Sequence, residues 1–331
     1  MKVSFLGAGA WGLTLGNHLW RKGYDVVLWE HRPSRATKLQ QEREDPQRLP
    51  GIRFEPGVRI TAQLEDLFPT DYLVFAVPSH AVRAVARKVA EYRPRKVISV
   101  VKGLEVDTLK RMSEVLAEVL GEDLLYAVLS GPSIAIEVAR ELPTTVVVAS
   151  RDVNFRYEVQ QLFHTRHFRI YTSADVVGVE LGGALKNVIA LAAGVVDGLE
   201  LGMNAKGALL TRGLAEIMRL GVKLGANPVT FSGLSGMGDL LTTSFSLHSR
   251  NRYVGEQLGR GRPLQDILNE MVMVAEGVKT TEAAYQLAVR EGVEMPITQA
   301  VRRVLRGEIT PLEATAELMK RMPKPEHYGV L

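Results

Sequence analysis

The chain has 331 residues, enough for two ordinary domains with a core each. Its 46% hydrophobic and 24% charged residues are those of a globular protein, and no apolar run reaches the roughly 20 uncharged residues a membrane span requires. The net charge of +4 arises from 41 bases and 37 acids interspersed without a basic cluster, which argues against nucleic-acid binding, and the lack of cysteine removes disulfides, thiolate metal sites and a cysteine nucleophile; no metal site is expected among the candidate residues.

The apolar start breaks into glycines after Leu6, too soon for a secretory leader, so a cytoplasmic protein is expected. Residues 2–6 form an apolar strand pattern that ends in Gly7-Ala-Gly9-Ala10-Trp11-Gly12, followed by helical spacing and a second strand pattern from Asp25 to Glu30. Strand, glycine turn, helix and strand in this order turn a weak G-x-G-x-x-G match into a strong dinucleotide-binding signature. Gly7 permits the tight turn, Gly9 admits a pyrophosphate to the backbone, and Gly12 allows the helix to pack closely, with its N-terminus facing the phosphates. At the end of the second strand the signals conflict. Glu30 stands where an acid accepts hydrogen bonds from the adenosine ribose of NADH, whereas His31 and Arg32 could hold the 2′-phosphate of NADPH, so the choice of cofactor stays open.

From Pro33 to Pro69 the chain is polar and reads as an exposed loop. Strand patterns then recur at 72–77, 96–101, 124–131, 144–150 and 168–173, mostly separated by amphipathic helices. Near-continuous apolar strands alternating with helices predict an α/β, Rossmann-type, mostly parallel sheet covered on both faces. Ligands gather at the carboxyl ends of such strands, where Lys102 and the Ser130-Gly131-Pro132-Ser133 turn fall.

After Ser173 the strand patterns stop. Helical patterns at 175–198, 205–224, 263–271, 277–292, 297–306 and 311–320 predict an all-α second domain, which gives domains of 1–174 and 175–331. The first of these helices has Gly182, Gly183, Lys186, Ala190 and Ala193 on one face, a strip of backbone and methyls with one amine. As a lone residue, Lys186 reads as a solvated lysine beside a helix-packing strip. The sharper reading is a partly desolvated amine, with Gly182 and Gly183 leaving room for a small ligand. Between 229 and 255 the chain is rich in glycine and serine. There Asp239 is a helix cap or a site acid, and Ser249-Arg250-Asn251-Arg252 can open a capped helix and surround a phosphate.

Several segments together resemble the bacterial NAD(P)-dependent glycerol-3-phosphate dehydrogenases: GAGAWG at 7, VKGLE at 101, SGPSIAIEVA at 130, ELGGALKNVIALAAG at 180, NAKGALLTRGLAE at 204, TFSGLSGMGDLLTT at 230, SRNR at 249 and AEGVKTT at 275. They span nearly the whole chain in order. The resemblance implies reversible reduction of dihydroxyacetone phosphate to sn-glycerol 3-phosphate with NADH or NADPH, supplying a phospholipid precursor, and a homodimer. It marks Lys186 as the proton donor and acceptor, and Lys102, Gly131, Ser133, Asp239, Ser249, Arg250 and Asn251 as substrate-contacting. It marks Ala10, Trp11, His31, Arg32, Lys102, Ala135, Arg250, Val274 and Glu276 as cofactor-contacting. Glu30 departs from the small residue usual in such relatives, and Ile134 from a phenylalanine. A lysine suits the proposed role, because burial lowers its ordinary pKa of about 10.4 towards working pH. A reductase of another small ketone or hydroxy acid, or a dinucleotide sensor without turnover, are the alternative readings.

Overall fold

A computed structural model describes residues 1–326. The chain divides into two compact units, Met1–Val101 with Met112–Val176, and Lys102–Arg111 with Val177–Leu331. The excursion at 102–111, which the sequence reading assigned to the first domain, therefore groups with the second.

The first unit holds one sheet of eight strands: β1 (Lys2–Leu6), β2 (Asp25–Trp29), β3 (Arg59–Thr61), β4 (Tyr72–Phe75), β5 (Lys96–Ser99), β6 (Leu125–Ser130), β7 (Thr144–Ala149) and β8 (Phe168–Ser173). Their spatial order is β3-β2-β1-β4-β5-β6-β7-β8. All neighbours pair in parallel except β6 and β7, whose antiparallel register sets Leu129 opposite Val148. Alternation along the strands separates two apolar layers. Val3, Phe5, Val26, Leu28, Tyr72 and Val74 join one core cluster, and Leu6, Val27, Trp29, Leu73 and Phe75 the other, so both faces of the sheet are buried. After β1 the chain builds β2 and β3 on one side and returns to place β4 on the other. The glycine turn that follows β1 thus lies at the switch point of the sheet, where open α/β sheets form their crevice.

The stretch 33–69 is more ordered than its polarity predicts. Proline at the first turn opens a helix Pro33–Glu42 with only Ala36 and Leu39 buried, and Leu49, Phe54 and Val58 are buried further on. Two buried residues in ten give too faint a helical period to read from sequence, and the three-residue strand β3 gains its stability from pairing with β2.

The second unit is helical. Its central helix, Val176–Gly198, is apolar on nearly every side and buried along almost its whole length. Length and composition would let that helix cross a membrane, but 94% of its most apolar window is buried inside the protein, as in a core helix. Around it pack Leu210, Leu214, Ile217, Phe231, Val254, Ala284 and Leu287 from four further helices. The segment 102–111 joins this core through Leu104 and through two polar ties to the central helix: Arg111 to buried Glu180 at 2.8 Å, and Asn187 Nδ2 to the Lys102 carbonyl at 3.2 Å.

Candidate active site

At the middle of the central helix, Lys186 is only 5% exposed. Its Nζ donates to Asp239 Oδ1 at 2.5 Å and to the Thr243 hydroxyl. Lys102 Nζ donates to the other carboxylate oxygen, Asp239 Oδ2, at 2.7 Å. Thr243 Oγ1 in turn donates to Asp239 Oδ1 at 3.2 Å. One buried carboxylate thus gathers two ammonium groups. The helix Asp239–Phe245 supplies both Asp239 and Thr243, whose spacing of four puts them on the same face.

Burial drives the Lys186 ammonium down to a pKa of about 8. Asp239 opposes the fall, while the positive charges of Lys102 and Arg250 add to it. At Asp239, burial would raise the carboxyl, but Lys102 and Lys186 outweigh it and hold the group below its ordinary value. The result is an amine that can give up its proton near neutral pH, beside an acid that stays ionised.

Gly182 does not leave open space for a ligand, contrary to the sharper sequence reading. A Cβ there would stand 2.7 Å from the Ser235 carbonyl oxygen, because the segment Leu234–Gly238 lies directly on the helix. Close packing, the plainer reading of this glycine, therefore applies, and it serves the site. It lets the backbone just before Asp239 settle onto the central helix, so that the carboxylate reaches an amine one turn away.

The Ser249 hydroxyl caps the helix Arg250–Gly259, accepting from the Arg252 N–H at 3.2 Å. Arg250 is exposed, and its Nη1 donates to the Val274 carbonyl at 2.6 Å. Asn251 is buried. Its Nδ2 donates to Asn187 Oδ1 at 2.9 Å and its Oδ1 accepts from the Gly277 N–H at 2.9 Å. With Asn187 also held to the Lys102 carbonyl, an amide chain links the SRNR helix, the central helix and the lysine-bearing segment. Glu276 opens the helix Glu276–Glu291, and Val274 precedes it. The second unit thus brings together Lys102, Lys186 and Asp239, and joins Asn251 to them through Asn187. Thr243 and Asn187 were missed in the sequence. The four-residue spacing of Thr243 from Asp239 was the available signal for the first, and nothing local marked the second.

In the first unit, the glycine turn fits a dinucleotide. Gly7 has φ of +115°, and a Cβ there would stand 2.7 Å from the Ala76 carbonyl oxygen; at Gly12 it would stand 2.1 Å from the Gly7 carbonyl oxygen. Both positions exclude any larger residue. Gly9 meets nothing within 4 Å, so the turn presents bare backbone to open space at the start of the helix Ala10–Arg21, as pyrophosphate binding requires. Ala10 and Trp11 form the first turn of that helix. Gly131 has φ of +125° just after β6, Ser133 Oγ donates to its carbonyl at 3.0 Å, and Ala135 opens a short helix.

At the end of β2, Glu30 is only 4% exposed. Its Oε1 accepts from the Arg32 backbone N–H at 3.2 Å and from Arg32 Nε at 3.0 Å, with His31 Nδ1 at 3.1 Å, and its Oε2 accepts from Arg35 Nη1. Arg35 reaches on to buried Asp45 at 2.5 Å, which also holds Arg48 at 3.2 Å. The sequence reading weighed Glu30 against His31 and Arg32 as rivals. The structure joins them in one cluster, with Arg35 and Asp45 as members that reading did not single out.

A glycine-cradled parallel sheet together with a buried, acid-paired lysine defines a nicotinamide-dependent oxidoreductase. Family models described as the N-terminus and the C-terminus of NAD-dependent glycerol-3-phosphate dehydrogenase match residues 2–156 and 175–316. The chain belongs to the NAD-dependent glycerol-3-phosphate dehydrogenase family. It is 50% identical over 333 residues to the glycerol-3-phosphate dehydrogenase [NAD(P)+] of Chlorobium limicola, covering 99% of this chain and 100% of that one. It is also 50% identical over 332 residues to the enzyme of the same name from Geobacter sulfurreducens, covering 99% of each. Among solved structures, glycerol-3-phosphate dehydrogenase from Coxiella burnetii aligns with a TM-score of 0.93 and 36% identity over 97% of this chain and 99% of that one. These likenesses do not favour a reductase of another ketone or a sensor without turnover.

Proposed function

We propose that Lys186 is the proton donor and acceptor as this enzyme interconverts dihydroxyacetone phosphate and sn-glycerol 3-phosphate with NADH or NADPH. The observation that carries the reading is the buried Lys186 Nζ, held by Asp239 and Thr243 and lowered to about 8. A nicotinamide cofactor held at the glycine turn would supply the hydride. As charge grows on the ketone oxygen, the Lys186 ammonium delivers its proton there. Asp239 orients the amine, and its ionised carboxylate keeps the ammonium available despite burial. Lys102 shares that carboxylate, opposes protonation of Lys186, and offers a second positive charge to an anionic substrate. In the reverse direction the neutral amine takes the alcohol proton.

Arg250 grips the phosphate, for which a guanidinium fork is suited. Asn251 is already committed on both ends of its amide, so its main contribution is to fix the capped helix against Asn187, with one Nδ2 hydrogen left for substrate. Ser249 acts through the same cap. Gly131 and Ser133 are proposed to contact substrate, and Gly7, Gly9, Ala10, Trp11, Gly12, His31, Arg32, Lys102, Ala135, Arg250, Val274 and Glu276 the cofactor, with Glu30 acting through the Arg32 it holds, on the strength of the family resemblance and the glycine turn. In this reading residues 1–174 are the dinucleotide-binding domain and 175–331 the substrate domain, with Lys102 contributed across that division. Action in the cytoplasm is kept as the sequence-based expectation, while assembly as a homodimer and supply of phospholipid synthesis rest on the resemblance alone.

The deciding assay follows oxidation of NADH and NADPH with dihydroxyacetone phosphate and with unphosphorylated dihydroxyacetone. Turnover should require the phosphate. Equal rates on both ketones would remove Arg250 from its role, and no turnover on either would overturn the reading.

A further inference from the structure

An acid at the end of the second strand of such a sheet ordinarily accepts hydrogen bonds from the ribose hydroxyls and repels a 2′-phosphate. It needs free lone pairs for the first task and an uncompensated charge for the second. Glu30 has neither. Two donors of Arg32 converge on its Oε1, with His31 Nδ1 3.1 Å away, and Arg35 occupies its Oε2. A carboxylate offers about four lone-pair sites, so Glu30 is close to saturated from within the protein.

The charge count leads the same way. Glu30 and Asp45 are both buried, and three guanidinium groups, of Arg32, Arg35 and Arg48, are paired with them, leaving the cluster with one positive charge. Arg35 is the hinge of this arrangement. At 13% side-chain exposure it spans both acids, one nitrogen on each. Arg32, by contrast, keeps half of its side chain exposed although its Nε is held by Glu30, and His31 is 64% exposed. The outer guanidinium is therefore fixed in direction by the buried acid while its remaining donors face outwards.

We infer that Arg35 is a positioning residue that sets cofactor choice. By neutralising Glu30 under the restraint of Asp45, it converts a strand-end acid that would select NADH into the seat that holds Arg32 for the 2′-phosphate of NADPH. The inference rests on the dinucleotide-binding reading of the first unit. On this inference an acid at that position is compatible with the phosphorylated cofactor.

The test is equilibrium binding of NADPH and NADH, followed by nicotinamide fluorescence, in the wild-type chain, Arg35→Gln, and Arg35→Gln combined with Glu30→Gln. Arg35→Gln leaves Glu30 short of a cation, so NADPH should weaken by about tenfold or more while NADH changes by less than about twofold, tenfold corresponding to about 1.4 kcal/mol. The double variant also removes the Glu30 charge that Arg35 no longer balances and should restore most of the NADPH affinity. Loss of both cofactors in parallel, no change in either, or failure of the double variant to recover would each overturn the role of Arg35. A wild-type chain that binds neither cofactor would instead overturn the dinucleotide reading itself.

Discussion

Both units bury an acid between two cations, yet the two clusters are built for different work. Asp239 stands between Lys102 and Lys186, and Glu30 between Arg32 and Arg35. A lysine ammonium is compact and strongly hydrated, so burial moves its proton affinity, and Lys186 falls to about 8. An arginine guanidinium stays charged under the same treatment, so Arg32 and Arg35 hold fixed positive charges at Glu30. The choice of cation therefore separates a cluster whose lysine can release a proton from one whose positive charges stay fixed. In both, the acid is bonded from within the protein, so its part is to position its cations.

The largest expected effect comes from removing the titratable member. Lys186→Ala should lower turnover by about 10²- to 10⁴-fold, the usual worth of a general acid, with cofactor affinity retained. Steady-state rates together with a cofactor titration measure both, and a variant keeping more than about a tenth of the wild-type rate would end the assignment.

Protonation of Lys186 gives the next handle. The ammonium is the form needed for ketone reduction, so kcat/KM in that direction should fall as pH rises through about 8. Asp239→Asn withdraws the counter-charge 2.5 Å away and should carry this limb to lower pH by about 1–3 units. Lys102→Ala withdraws a like charge and should carry it, by less, to higher pH. A pH profile that ignores both substitutions would show that the limb belongs to another group.

Glu216 sharpens the contrast from the other side, because backbone and hydroxyl groups, those of Ile297 and Thr298, bond its buried carboxyl where cations bond Asp239. Burial raises it to about 7, with those hydrogen bonds and Arg219 opposing. A carboxyl that holds its proton more tightly folded than unfolded contributes its full stability below about pH 4.5. That contribution is lost as pH rises towards about 7. Glu216→Gln, which cannot ionise, should flatten the thermal stability over that range by no more than about 3 kcal/mol. Tm measured across the window checks it, and an unchanged slope would count against a neutral Glu216.

The smallest effect tests packing. Gly182→Ala places a methyl group against the Ser235 carbonyl, which backbone must yield to admit. A loss of about 1–3 kcal/mol in denaturant unfolding is expected, with the pH limb shifting as Asp239 is displaced. Tolerance without loss would mean that the 234–238 segment settles onto the helix for reasons other than the glycine.

The sequence by itself determined the order of seven of the eight strands, the glycine turn, the capped helix at Ser249 and the candidacy of Lys186, because these depend on local periodicity, backbone freedom and side-chain chemistry within a few residues. It left the helix at 33–42 unread, since two buried residues carry too little period. It also leaves Gly182 between close packing and room for a ligand, and Glu30 between binding a ribose and yielding to His31 and Arg32. Only the tertiary structure decided those points, because each turns on groups distant in the chain. Asp239 lies 53 residues beyond Lys186, and Lys102 another 85 before Asn187. Whether a buried charge is free or satisfied depends on which partners the fold delivers to it, and no local pattern records that.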